Sequence, residues 1–325
     1  MSDSIYDVII VGSGPAGYTA GIYSGRARLK TLMLSGEQFG GQLMKTTEVE
    51  NFPGFEHGIM GPKLMMEMRK QMQRFGVEII DVKVNSIKED GDLHVVSINE
   101  DSYVAKTVII ATGAEALRLN LKGEDSLVGK GVSTCAVCDA AFYRDKIVYV
   151  VGGGDSAVED TMALTKFAKK VYMVVRRDKL RASKIMQDRV MNHKSVEILW
   201  NHEVVGLKYD QTLNGLILLN NITRNTYDVE TDGLFYAIGH VPNSAMFDGY
   251  VKIDDRGYIL TSLNGLNSSS DMHSIMQSGF PTMTSKPGVF AAGDVVDFRY
   301  RQAITSAGAG CQASLDVERY IESKE

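Results

Sequence analysis

The chain opens on a continuous apolar run, Tyr6-Asp-Val-Ile-Ile-Val11. A strand covered on both faces shows no alternation, so this run reads as a buried strand. It leads into Gly-Ser-Gly-Pro-Ala-Gly, Gly12 to Gly17, then a helical stretch from Ala16 to Arg28 and a second apolar run from Thr31 to Leu34. The pattern returns later. Lys146 to Val151 predicts a strand, Gly152-Gly-Gly-Asp-Ser-Ala157 a turn, Val158 to Ala168 a helix and Val171 to Val175 the next strand. The two turns, at Gly12 and Gly152, begin 140 residues apart. Between and after them, Tyr103 to Ala111, Gly233 to Gly239 and Val289 to Asp294 are strand-like runs that end in glycine-containing turns, and Ala303 to Ile321 predicts a final helix. Leu263 to Thr284, with Asn267 to Ser270 and Asp271, lacks apolar periodicity. It reads as a long surface loop, a tolerated insertion.

Composition narrows the classes. The chain has 325 residues, 44% hydrophobic and 23% charged, which suits about two soluble globular domains. A net charge of -5 excludes an overall basic footprint for nucleic acid, though a local cluster can still hold a phosphate. No stretch approaches the ~18 apolar residues a membrane span needs. The N-terminus lacks the basic and apolar regions of a leader, so the expected location is cytoplasmic.

The glycines of the first turn have separate duties. Gly12 makes the tight turn, Gly14 lets backbone N–H groups approach a pyrophosphate, and Gly17 lets the helix pack on the strand. Ser13, Pro15 and Ala16 complete the turn, and the helix N-terminus favours the anion. Glu37 is the candidate for the ribose hydroxyl, although it lies past the strand end, where Ser35 stands. The second turn, Gly152, Gly153, Gly154, Asp155, Ser156 and Ala157, ends in alanine, an accepted variant. After its second strand come Arg176, Arg177 and Arg181, with no carboxylate at the strand end. A carboxylate there would repel a 2′-phosphate, whereas guanidiniums bind it in a fork, so this site should prefer NADP(H).

Cys135 and Cys138 form Cys-Ala-Val-Cys, followed by Asp139. A disulfide closing so short a loop adds little chain-entropy stabilisation and is better suited to cycling with the dithiol. Zinc is the competing reading. It needs four ligands, but Cys311 lies far off and the six histidines show no paired spacing. No metal is expected, and Cys311 reads as a small buried hydrophobe. A dithiol mechanism must protonate a leaving thiolate, and Asp139 is the candidate acid–base group.

Together these residues resemble low-molecular-weight, fungal/bacterial-type NADPH-dependent thioredoxin reductase. The matching stretches are Gly12 to Gly17, Gly40-Gly41-Gln42-Leu43, Thr46 to Gly54 with Asn51, Ala111-Thr112-Gly113, Cys135 to Asp139, Gly152 to Ala157, Arg176-Arg177 with Arg181, Ala292-Gly293-Asp294 and Arg301-Gln302-Ala303-Ile304-Thr305. The Cys135 to Asp139 stretch looks most like the fungal-type enzymes. The resemblance implies an α/β fold of two Rossmann-like dinucleotide-binding domains. The NADPH domain, residues 119–245 and carrying the cysteines, would be inserted into an FAD domain built from 1–118 and 246–325. It further implies FAD and NADPH as cofactors, thioredoxin as partner and a homodimer. Gly41, Gln42 and Asn51 would border the flavin and its ribityl chain, Asp294 would hydrogen-bond that chain, and Gln302 and Ala303 would offer N–H groups to the flavin ring. Cys138 would take electrons from the flavin and Cys135 would attack thioredoxin. Hinges would lie around Arg118 and around Val241 to Ser244.

The rival readings are a flavin-dependent dithiol oxidase, a reductase of another small redox protein on the same fold, and a nucleotide-sensing binding protein. The first would not need the intact second turn and arginine cluster. The last would most simply have lost a cysteine or a flavin-contact motif, and neither is missing.

Overall fold

A computed structural model describes residues 5–46, 48–263 and 279–325. Thr47 of the matching stretches, and residues 264–278 of the expected surface loop, lie outside the described residues. The chain divides into two units, one of Met1–Glu115 with Val241–Glu325, the other of Ala116–His240.

The first part of unit one runs β1 (Tyr6–Val11), α1 (Pro15–Arg26), β2 (Thr31–Leu34), α2 (Gly61–Arg74), β3 (Glu78–Ile80), β4 (Ser86–Asp90), β5 (Leu93–Ile98) and β6 (Asp101–Ile110). The inserted unit follows with β7 (Val132–Ser133), α3 (Ala136–Asp139), β8 (Ile147–Val151), α4 (Asp155–Leu164), β9 (Lys170–Val175), α5 (Lys184–Met191), β10 (Val196–Trp200), β11 (His202–Tyr209), β12 (Leu213–Asn220), β13 (Thr226–Glu230) and β14 (Gly233–Tyr236). Unit one then resumes with β15 (Val289–Ala291) and α6 (Ala303–Glu322).

In unit one the strand order is β3-β2-β1-β6-β5-β4, with β15 also on β6. The pairs around β1 are parallel, Val11 lying opposite Leu34 on one side and Ile110 on the other. Ala291 pairs with Ile110 in turn. The apolar run of β1 is buried on both faces. Val8 and Ile10 join Tyr18, Met65 and Val317 on the helical side, while Ile9 and Val11 join Leu32, Leu34 and Phe247 on the other. Each such side chain contributes roughly 1.5–3 kcal/mol of burial.

Unit two has a parallel sheet of order β7-β14-β8-β9-β10. Val148, Val150, Val171 and Met173 pack against the helices. Tyr149, Val151 and Val174 pack with Leu216 and Leu218 of a separate antiparallel sheet, β11-β12-β13. In both units the strand order reverses direction at the strand that feeds the glycine turn. In open α/β sheets, ligands bind outside the carboxyl ends of the strands at that point.

Two expectations shift. The second helix begins at Asp155 rather than Val158 and ends at Leu164. Its first turn is held by Asp155, whose Oδ1 accepts the N–H and hydroxyl of Ser183 at 2.9 and 2.8 Å. Cys311 is free and only half-buried, not a core residue. It lies beside exposed Tyr23.

Candidate active site

In unit one, Gly12 has φ +108°, and a Cβ there would lie 2.3 Å from the Ala111 carbonyl oxygen. A Cβ on Gly17 would lie 2.0 Å from the Gly12 carbonyl oxygen. These two glycines are therefore forced by close backbone approach. Gly14 is different, because a Cβ there would meet nothing within 4 Å. It borders open space at the N-terminus of α1, where the first turn has Pro15 at its start, no acidic residue and no side-chain cap. Unsatisfied N–H groups beside an unfilled cradle fit a pyrophosphate.

Other segments converge on this turn. Ser13 Oγ donates to the Ser35 carbonyl at 2.7 Å and accepts the Gly40 N–H at 2.9 Å, drawing the 36–43 segment onto the fingerprint. A Cβ on Gly41 would come within 3.2 Å of Gly14 Cα, and Leu43 packs against the unit-one core. Gln42 Nε2 reaches the Ala114 carbonyl at 3.4 Å. Thr112 Oγ1 donates to the Asn243 carbonyl at 2.7 Å, and the Asn243 N–H donates to the Gly113 carbonyl at 2.9 Å. Gly293, at φ +81°, leaves room for Ala16, whose Cβ would lie 2.8 Å from an added one.

Asp294 is therefore delivered to the same end of α1. Burial pushes its carboxyl up to about 6, and the 2.7 Å bond from Ser306 Oγ works the other way. Gln302 caps α6 in a capping box with Thr305, just before Ala303, and its Oε1 accepts from Asn51 Nδ2 at 3.2 Å. Arg301 has φ +49°, and Asp297 accepts its N–H at 3.1 Å.

Glu37 lies exposed on a bend of that same 36–43 segment. The carboxylate beside Ser35 is instead that of Asp81, which receives Ser35 Oγ at 2.6 Å and Arg69 in a fork, both bonds 2.8 Å. Strand register explains this: Leu34 pairs with Ile80, so Ser35 and Asp81 leave adjacent strands side by side. Nothing local in the sequence announces that pairing.

In unit two, Gly152 has φ +148°, and a Cβ would lie 2.4 Å from the Ala237 carbonyl oxygen. Gly154, like Gly14, borders open space. The Gly153 carbonyl accepts the N–H groups of Arg181 and Ala182 at 2.6 and 3.1 Å. That hooks the 176–183 segment over the turn. Ser156 is exposed and Ala157 buried. Arg176, Arg177 and Arg181 are exposed, and none forms an ion pair among the described residues.

The same unit carries the cysteines. Cys135 and Cys138 form a disulfide across a single turn, their Cα atoms 5.3 Å apart. The Cys138 N–H donates to Cys135 Sγ at 3.2 Å. Asp139 is partly buried beside them, and that burial raises its carboxyl above the usual carboxylate range, with the Ser133 hydroxyl opposing the rise. A carboxyl whose affinity for the proton is raised is suited to act as an acid toward a thiolate. Among the described residues no cluster of His, Cys, Asp and Glu could hold a metal ion, and no helix is long and apolar enough to cross a membrane.

Residues 6–310 match the family model for pyridine nucleotide-disulphide oxidoreductases. A thioredoxin reductase of Mycolicibacterium smegmatis is 45% identical over 100% of this chain and 99% of its own. One of Yarrowia lipolytica is 48% identical over 98% of each, so bacterial and fungal relatives match to a similar degree. The crystal structure of thioredoxin reductase from Streptococcus pyogenes superposes with a TM-score of 0.89 at 40% identity, covering 99% of this chain and 100% of that one. The chain belongs to the pyridine nucleotide-disulphide oxidoreductases and, among them, to the thioredoxin reductases, which are NADPH-dependent flavoprotein enzymes.

Proposed function

We propose that the protein is a thioredoxin-disulfide reductase that binds FAD in unit one and NADPH in unit two. The observation that carries this is the Cys135–Cys138 disulfide with Asp139 beside it, in the unit that also holds the Gly152 turn and the free arginines. FAD is held by Gly12 to Gly17, Gly41 to Leu43, Asn51, Ala111 to Gly113, Gly293, Asp294 and Arg301 to Ala303. The fit rests on the open cradle at Gly14 and on the convergence of these segments at one helix end. NADPH is held by Gly152 to Ala157, with its 2′-phosphate on Arg176, Arg177 and Arg181. When bound, the two nucleotides supply an electron pair to the disulfide.

The chain's own residues do the rest. Gly14 and Gly154 admit phosphates to the starts of α1 and α4. Cys138 accepts the electron pair, and Cys135 attacks the disulfide of thioredoxin. Asp139 gives and recovers the proton. A homodimer, on the resemblance alone, and a cytoplasmic location complete the reading.

The test is NADPH oxidation by the purified yellow protein, with and without a thioredoxin, beside a Cys138→Ser variant. Thioredoxin-dependent consumption, lost in the variant while NADPH still bleaches the flavin, is the expected result. Oxygen-dependent turnover indifferent to thioredoxin and to Cys138 would overturn the substrate assignment.

A further inference from the structure

The arginine segment that follows β9 is anchored by a hairpin turn that the relay above does not use. Residues 221–225 join β12 to β13, and Asn220 shapes the turn. Its Oδ1 accepts the N–H groups of Ile222 and Thr223 at 2.9 and 3.0 Å, and its own N–H donates to the Asn225 carbonyl at 2.9 Å. The half-buried Asn221 comes next. Its Nδ2 donates to the Arg176 carbonyl at 3.1 Å and to Glu203 Oε1 at 2.8 Å. The amide nitrogen has two hydrogens, and both are used on acceptors, which fixes the orientation of the side chain. The Asn221 backbone N–H donates to the Asn201 carbonyl at 2.7 Å, and the Asn201 N–H donates to the Arg177 carbonyl at 3.1 Å.

Two successive carbonyls of the arginine segment are therefore held. The Arg176 carbonyl belongs to the peptide plane before the Arg177 Cα, and the Arg177 carbonyl to the plane after it. Each plane is rigid, and only the φ and ψ of Arg177 lie between them. Anchoring both planes fixes those angles, and with them the direction in which the Arg177 side chain leaves the backbone. Further on, the Gly153 carbonyl holds the Arg181 N–H at 2.6 Å. The anchors from Asn201 and Gly153 are backbone groups that any residue could supply. Asn221 is the anchor made by a side chain.

We infer that Asn221 is a positioning residue for nucleotide choice: by holding the peptide between Arg176 and Arg177 it presents their guanidiniums to a 2′-phosphate, and so favours NADPH over NADH. This rests on the reading of the arginines as the 2′-phosphate site. A long cationic side chain loses rotamer freedom when it binds an anion, and a fixed point of departure lowers that cost. An adenosine without the 2′-phosphate gains nothing from the arrangement.

The experiment measures calorimetric binding of adenosine 2′,5′-bisphosphate and adenosine 5′-monophosphate to the FAD-loaded protein, in the parent, Asn221→Ala, Asn221→Asp and Ile222→Ala. Ile222 is 72% exposed and joins the turn through its backbone N–H, which alanine keeps, so it controls for a general disturbance of the hairpin. Asn221→Ala should weaken the bisphosphate about tenfold and leave the monophosphate within about twofold, for the loss of one anchoring hydrogen bond. Asn221→Asp keeps the shape but has no hydrogen to give when ionised, and should lose at least as much. In steady state, KM for NADPH should rise by a similar factor with kcat unchanged, the mark of lost binding rather than lost chemistry. An equal loss for both nucleotides, or an equal loss in Ile222→Ala, overturns the inference. A parental preference for the bisphosphate that survives in either Asn221 variant overturns the inference alone. A parent that binds the bisphosphate no more tightly than the monophosphate overturns the reading of the arginines, and the inference with it.

Discussion

Burial sets the behaviour of Asp294 more than its chemical identity does. Its carboxyl is pushed up from 3.8 to about 6 by desolvation. The folded chain therefore keeps a proton that the unfolded chain releases, and stability falls as pH rises from about 4 to 6, then levels off. Asparagine keeps the acceptor for Ser306 Oγ and removes the titration. FAD-free Asp294→Asn should melt higher than the parent at pH 7.5, by on the order of 1–3 kcal/mol, with the gap nearly closed at pH 4. A gap that ignores pH would show that the carboxyl ionises freely in the fold. The same variant should bind FAD more weakly if Asp294 holds the ribityl chain. Residues of this kind were legible only where a motif named them. Asp294 stood in a Gly-Asp strand ending, whereas Asp81 acts through Ser35, which strand pairing brings to it.

At the scale of elements, the packing of α1 on α6 shows how small residues do structural work. The buried stripe of α6 includes Ser306, Gly310, Ala313, Ser314 and Val317. A Cβ on Gly310 would lie 2.0 Å from the Ala16 carbonyl oxygen, and Ser24 Oγ meets Ser314 Oγ at 2.9 Å in the same seam. Gly308, two residues earlier, has nothing within 4 Å. Alanine at the two positions should act with opposite sign. Gly310→Ala forces the helices apart and should cost about 1–3 kcal/mol. Gly308→Ala should stabilise by up to about 1 kcal/mol through helix propensity. Denaturant midpoints of the two variants check this, and equal effects would mean that the seam yields to a methyl group. Elements with uninterrupted apolar runs, such as β1, β2, β8 and β9, were readable because both faces are covered. The sheet of β11 to β13 was not, since exposed Glu203, Val205 and Lys208 dilute its pattern and its partners are fixed by pairing, not composition.

Across the whole molecule, one chain carries two glycine turns, and on the proposed reading each must take its own nucleotide. Their glycines perform the same tasks: Gly12 and Gly152 make the close turn, and Gly14 and Gly154 face open space. Discrimination therefore falls to what surrounds the strand that follows each turn. After β2 stand Ser35 and a carboxylate, Asp81, already forked to Arg69. After β9 stand Arg176 and Arg177, with Arg181 drawn in by Gly153, all without an ion-pair partner among the described residues. In a chain of net charge -5, this is a local cation cluster waiting for an anion, and a 2′-phosphate is the group that separates NADPH from NADH. Each charge-assisted bond to it is worth about 1.5–3 kcal/mol. Replacing Arg176 and Arg177 by alanine should therefore raise KM for NADPH by about 10- to 100-fold or more. KM for NADH should change little, and flavin content not at all, because the turn proposed for FAD lies in the other unit. Steady-state kinetics with both nucleotides decides the matter. An equal rise for NADH would mean that the arginines support the fold of the loop and not the recognition of phosphate.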